Sequence, residues 1–113
     1  MNDLASQRCK PCEGEVPALE PAKAQERLKQ LDTGWSLNNA NKQLSRNFKF
    51  KDYYETIAFV NATAWISHQE GHHPDLEVSY NHCLVHYTTH AIHGLSDNDF
   101  ICAAKLDKLF FRS

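Results

Sequence analysis

The sequence predicts an α+β domain: a four-stranded antiparallel sheet with helices packed on one face, in the order helix–strand–strand–helix–strand–strand–helix. Three observations predict it. Several short segments alternate apolar and polar residues, as half-buried strands do; a long stretch between them repeats its apolar residues every three to four positions, as a helix does. At 113 residues, with 42% hydrophobic and 23% charged residues, the chain has the length and composition of one globular domain.

Glu20-Pro21 opens the first helix, because proline is tolerated in the first turn and an acidic residue suits its positive end. Ala24, Leu28 and Leu31 give it an apolar face, and Gly34 lies past its stop. Trp35-Ser36-Leu37 reads as a short strand, and 38–41 as turn material. In the next segment Leu44, Arg46, Phe48 and Phe50 share one parity and Ser45, Asn47 and Lys49 the other, so a strand with one buried face is expected, paired with the first in a hairpin. Asp52 with Glu55 has capping-box spacing and opens the long helix. Tyr53, Ile57, Val60 and Ala64, broadened by Phe59 and Trp65, form its expected buried stripe, and Gly71 and Pro74 end it. Leu76, Val78 and Tyr80 mark a third strand, with Tyr80 expected in the core and Asn81-His82 as the turn. In the fourth strand Cys83, Val85 and Tyr87 share one face, and His82, Leu84, His86 and His90 the other. Ser96 and Asp99 have the spacing of another helix start, followed by Phe100, Ala104, Leu106, Leu109 and Phe110 as an apolar face. The half-apolar outer sheet face predicts a homo-oligomer.

Residues 1–19 read as a leader and 20–113 as the single domain. The leader carries Cys9-Lys10-Pro11-Cys12, a CxxC spacing used for zinc or redox chemistry. A zinc site needs about four ligands and no second CxxC exists; a thioredoxin-type motif should lie between a strand and a helix, whereas this one lies among Pro11, Gly14 and Pro17. A structural leader is therefore expected. Met1 to Arg8 lacks the charged-then-apolar layout of a secretion signal, which places the protein in the cytoplasm and its thiols in a reducing setting. The longest apolar run, Phe100 to Ala104, is five residues, so no membrane span is expected. With 12 Lys+Arg against 14 Asp+Glu, the net charge of −2 provides no broad field for nucleic acid.

Seven histidines all lie between positions 68 and 93. Imidazole titrates near neutral pH, so such clustering points to proton transfer or metal binding. If the last two strands pair, their far ends bring His72, His73 and His90 to the same sheet edge. Pro74 holds His73 extended, and His72 and His73 then point different ways. Three histidines with water can hold catalytic zinc, but adjacent histidines rarely share one ion, and the helical i,i+4 pair would be His68 with His72. A purely hydrogen-bonding role for these histidines is the plain alternative. His68, His82, His86 and His93 read as surface, helix-end or interface residues. Asp99 serves its own helix start and is placed to orient an imidazole, and Trp35 is a core aromatic or a platform for a flat heterocycle.

The string His72-His73-Pro74, Tyr80, His90 and Asp99, with this spacing, resembles the signature of the pterin-4a-carbinolamine dehydratases. Gly34-Trp35, the segment Phe48 to Tyr53, Thr89-His90 and Gly94-Leu95-Ser96 extend the likeness, and Cys9 to Gly14 resembles the leader of many bacterial members. The resemblance implies a hydro-lyase that removes water from 4a-hydroxytetrahydrobiopterin or a related tetrahydropterin to give quinonoid dihydropterin. Its setting would be the recycling of the aromatic amino-acid hydroxylase cofactor, with a functional link to phenylalanine hydroxylase. By motif position the active-site histidines fall on His72, His73 and His90. The implied acid–base pair is His72 and His90, with His73 positioning the pterin, Trp35 bordering its ring and Asp99 orienting His90. The reaction involves no redox change, so it needs neither metal nor organic cofactor. The implied assembly is a homodimer or homotetramer. His68 and Asn98 stand where some members carry an acidic residue and an arginine. A regulatory or dimerisation protein without significant catalysis is the alternative that the family's animal members suggest.

Overall fold

Alternation along two neighbouring strands builds the core. In β2 (Gln43–Lys49) and β4 (His82–Tyr87), Leu44, Phe48, Cys83, Val85 and Tyr87 are fully buried. The antiparallel register sets Leu44 opposite Tyr87 and Phe48 opposite Cys83, so these side chains share one sheet face. The computed structural model describes residues 4–10, 17–38, 40 and 42–109. Cys12 and Phe110 lie outside them. The order of elements is α1 (Pro21–Leu28), β1 (Ser36–Asn38), β2, α2 (Tyr53–Glu70), β3 (Asp75–Ser79), β4 and α3 (Asp97–Leu109), as the sequence predicts. Two short 3-10 turns, Leu4–Ser6 and His90–Ile92, complete it. The sheet order is β1-β2-β4-β3, with every neighbouring pair antiparallel.

The first helix has Pro21 at its start, as expected, but ends at Leu28, so Leu31 follows it in a turn. Just before β1, Trp35 is 5% exposed and its indole N–H donates to Asp107 on α3 at 2.8 Å. Arg46 reaches the same carboxylate at 2.6 Å while its guanidinium lies 4.4 Å above the Phe48 ring. A Cβ on Gly34 would come within 2.7 Å of the Arg46 Nε, which explains the glycine before Trp35.

Asp52 caps α2, its carboxylate accepting from the Glu55 N–H at 2.9 Å. The buried stripe of this helix differs from the expected one: Thr56, Phe59, Thr63 and Ile66 face the core, whereas Tyr53 is 49% and Trp65 61% exposed. Two threonines can occupy the buried stripe because their hydroxyls are satisfied within it. Thr56 Oγ1 donates to the carbonyls of Asp52 and Tyr80, and Thr63 Oγ1 to that of Val60. Phe59 then reaches Phe48 with ring centroids 4.6 Å apart, joining helix to sheet. The β3–β4 connection also differs by one step. Tyr80 and Asn81 form the turn, His82 already pairs with Ser79, and Tyr80 is 63% exposed rather than in the core.

In α3 the buried residues are Asn98 to Ala103 and Leu106, and Leu109 is 41% exposed. Asn98 and Asp99 near its start are buried as deeply as the apolar residues, and the partners of Asp99 define the candidate site.

Candidate active site

Gly71 adopts a left-handed φ of 66° and ends α2, its N–H bonding the Ser67 carbonyl. That reversal turns His72 inward. His72 is 7% exposed, and its ring stacks on Tyr87 with centroids 5.8 Å apart and planes 12° from parallel. Its Nε2 lies 2.6 Å from Oδ1 of Asp99, which is fully buried. The second carboxylate oxygen, Oδ2, accepts from the Thr89 hydroxyl at 2.8 Å and from the Ser96 N–H at 3.0 Å. Thr89 and Ser96 hydroxyls bond each other at 2.8 Å. A buried carboxylate needs several donors, and this one has a hydroxyl, an amide and an imidazole. With Nε2–H donating to Asp99, the tautomer is set and the basic lone pair of His72 is on Nδ1.

Asp99 therefore does both things expected of it, with one change of partner. Its bond from the Ser96 N–H is one half of a capping box at the start of α3; the Asp99 N–H bonds the Ser96 carbonyl, and the Ser96 hydroxyl goes to Thr89 instead. The imidazole it orients is His72 and not His90.

His72, His73 and His90, with Gly71, Thr88, Thr89 and Ala91, line one hollow of about 190 Å³. The histidines arrive from two directions: His72 and His73 from the α2–β3 connection, His90 from the 3-10 turn after β4. His73 and His90 are solvent-exposed, while His72 forms the buried wall. The 3-10 turn closes at His93, left-handed at φ 52°, with its N–H on the His90 carbonyl. Thr89 pairs with Gly94 across the same turn.

Trp35 is absent from this hollow. It packs against Phe48 and Tyr87 and its indole N–H is engaged by Asp107, so it lies in the core, as the core-aromatic reading expects. The remaining histidines lie elsewhere. His86 bridges Ser45 at 2.6 Å and Glu77 at 2.7 Å on the outer sheet face, His82 bonds Ser79, and His68 lies beside Trp65. Among the described residues, no three His, Cys, Asp or Glu side chains are grouped so as to hold a metal ion.

Sequence reasoning assigned no role to Thr89, and a signal for it exists. Continuing the inward parity of Cys83, Val85 and Tyr87 by two residues reaches Thr89, which leaves His90 pointing outward with His86. A threonine at the end of a core-facing row needs a buried acceptor, and Asp99 supplies it.

Residues 17–109 match the family model described as pterin 4 alpha carbinolamine dehydratase. A Nitrosomonas eutropha protein provisionally named pterin-4-alpha-carbinolamine dehydratase is 64% identical over 95% of this chain and 93% of its own. The crystal structure of a transcriptional coactivator/pterin dehydratase from Brucella melitensis superimposes with a TM-score of 0.80 at 28% identity, covering 84% of this chain and all of that one (100%). A pterin dehydratase-like protein identified as a RuBisCO assembly factor in the alpha-carboxysome shares the fold, with a TM-score of 0.62 at 23% identity over 73% of this chain and 95% of its own. A match that spans both connections lining the hollow, with close relatives covering nearly the whole chain, places this protein in the pterin-4-alpha-carbinolamine dehydratase family.

Proposed function

We propose that this protein is a hydro-lyase that dehydrates 4a-hydroxytetrahydrobiopterin, or a closely related 4a-hydroxytetrahydropterin, to the quinonoid dihydropterin. The observation that carries this reading is the convergence of His72, His73 and His90 on one hollow, with His72 held by Asp99.

Loss of water requires a proton for the departing hydroxyl and removal of a proton from the adjacent ring nitrogen. His72 is the base. The Asp99 carboxylate fixes its ring and stabilises the imidazolium that forms when Nδ1 takes the nitrogen proton, as a buried aspartate does for a catalytic histidine. His90, exposed at the mouth, is the acid: it delivers a proton to the leaving hydroxyl and regains one from water. His73 positions the pterin and its hydroxyl. The overall step moves protons and water alone, with no electron transfer, so it needs neither metal nor organic cofactor. The product suits a reductase that restores the tetrahydropterin for an aromatic amino-acid hydroxylase, phenylalanine hydroxylase among them, in the cytoplasm.

The functional assembly we infer is a homodimer or homotetramer. Its support is the aromatic surface left exposed on α2, with Tyr54 81% and Trp65 61% exposed.

The test is spectroscopic. The 4a-hydroxytetrahydropterin is generated in situ and its ultraviolet change followed with and without the protein, at a pH where spontaneous dehydration is slow. A rate well above background supports the dehydratase. No acceleration would overturn it in favour of a regulatory or dimerisation role, to which the coactivator description of the Brucella protein would then lend weight.

A further inference from the structure

The catalytic reading leaves one pair of reactive groups unused. Cys9 Sγ lies 3.5 Å from Cys102 Sγ, joining the leader to the middle of α3. The placement is held by a set of specific contacts. The Cys9 N–H donates to Glu70 Oε1 at 2.8 Å, and Asn98 clamps Lys10 on both sides, accepting from its N–H at 2.9 Å and donating to its carbonyl at 2.7 Å. Arg8 and Lys105 reach the same Glu70 carboxylate at 3.2 and 3.8 Å, and Lys105 also donates to the Ala5 carbonyl. Leu4, 5% exposed, anchors the segment in the core.

The two thiols differ in access. Cys9 is half-buried, whereas Cys102 is fully buried. The hydrogen bond with Cys9, then burial, then the nearby Glu70 and Asp99 carboxylates hold the Cys102 thiol far above its ordinary range. Cys83 offers a contrast: it is buried in the sheet, and burial alone raises its thiol to about 11.

We propose that Cys9 and Cys102 form a thiol–disulfide exchange site, with Cys9 the attacking and Cys102 the resolving thiol, that takes small disulfides of the glutathione class. Cys9 gives up its thiol proton and its sulfur attacks one sulfur of the small disulfide, and one small thiol leaves with that proton. Cys102 Sγ then attacks the Cys9 sulfur of the mixed disulfide, and the second small thiol leaves with the Cys102 proton. Two protein thiols are oxidised to one disulfide and one small disulfide is reduced to two thiols. The bond fastens the leader to α3 one helical turn beyond Asn98, beside the start that holds Asp99. It also engages the sulfur next to the Tyr87 hydroxyl, a buried group with no oxygen or nitrogen partner among the described residues. Closing a loop of most of the chain restricts the unfolded state strongly.

The test uses the full chain in glutathione redox buffers, followed by acid quench, alkylation and peptide mass mapping. The expected product is a Cys9–Cys102 cross-link that dithiothreitol reverses, with Tm raised by about 5 °C or more. Cys12→Ser should still form it. Cys102→Ala, which keeps the core apolar, should stop at a glutathione adduct on Cys9. Cys9→Ser, at the half-buried position, should leave Cys102 reduced. A dominant Cys9–Cys12 cross-link would overturn the proposal. So would failure of the wild type to react, or a glutathione adduct on Cys102 in Cys9→Ser.

Discussion

In the proposed mechanism His72 and Asp99 divide the work of one proton transfer, and substitutions separate their parts. Asp99→Asn keeps the size of the side chain but presents an amide to the carboxylate's donors. Its N–H groups face the Thr89 hydroxyl and the Ser96 N–H, which are themselves donors, and the charge that stabilises an imidazolium is lost. The expected outcome is a fall in kcat of about 10²-fold or more with little change in KM, measured in the dehydration assay. Thr89→Val removes one donor to Asp99 while keeping the shape of the side chain. It should lower kcat less than Asp99→Asn and destabilise the fold by about 1–3 kcal/mol, read from urea unfolding. The meeting of His72, His73 and His90 was legible in the sequence, because pairing of the last two strands brings their far ends together. The pairing of Asp99 with His72 in place of His90 was not, since it depends on where a helix start and a helix end meet in space. The bond between Trp35 and Asp107 was not legible either, for the same reason: the two are 72 residues apart.

At the scale of elements, the end of α2 controls the site. Gly71 sits at φ 66° with open space where a methyl group would stand, so the strain of Gly71→Ala is conformational and not steric. The variant should lose about 1 kcal/mol of stability, measured by chemical denaturation, and lose activity as His72 shifts off Asp99. Along the same helix, the expected buried stripe was wrong by a rotation. Hydrophobicity favoured Tyr53, Ala64 and Trp65, while the core took Thr56 and Thr63, whose hydroxyls find carbonyl partners. A hydrophobic count treats threonine as polar and cannot see those acceptors. The strands were easier to read, because period-two alternation in β2 and β4 assigns a side to each residue whatever the partner. Phe59→Ala, at the junction of helix and sheet, should cost about 3–5 kcal/mol on thermal or urea unfolding.

Over the whole molecule, residues 4–10 meet the rest of the chain at Glu70. Burial alone would raise this carboxyl, but the Cys9 N–H, Lys105 and Arg8 together bring it below its ordinary value. Its folded pKa therefore lies under the unfolded one, about 4.3, so the contribution is intact above that pH and is lost as pH falls through the folded value. Amide exchange at Cys9 and Lys10 should accelerate over that acid range relative to the rest of the chain, and Glu70→Gln should remove the pH dependence. The order of elements follows from the sequence, whereas the docking of residues 4–10 on α3 does not, because its contacts join positions some 90 apart, as with Lys10 and Asn98 (|i−j| = 88). The proposed site lies where the two chain segments bearing His72 and His90 converge. The most direct test of that site is the dehydration rate of His72→Ala, His90→Ala and the double variant against wild type, with folding checked by circular dichroism. The expected result is acceleration by wild type, a loss of about 10²–10⁴-fold in each single variant, and a double variant near background. Full activity in the double variant would contradict the account.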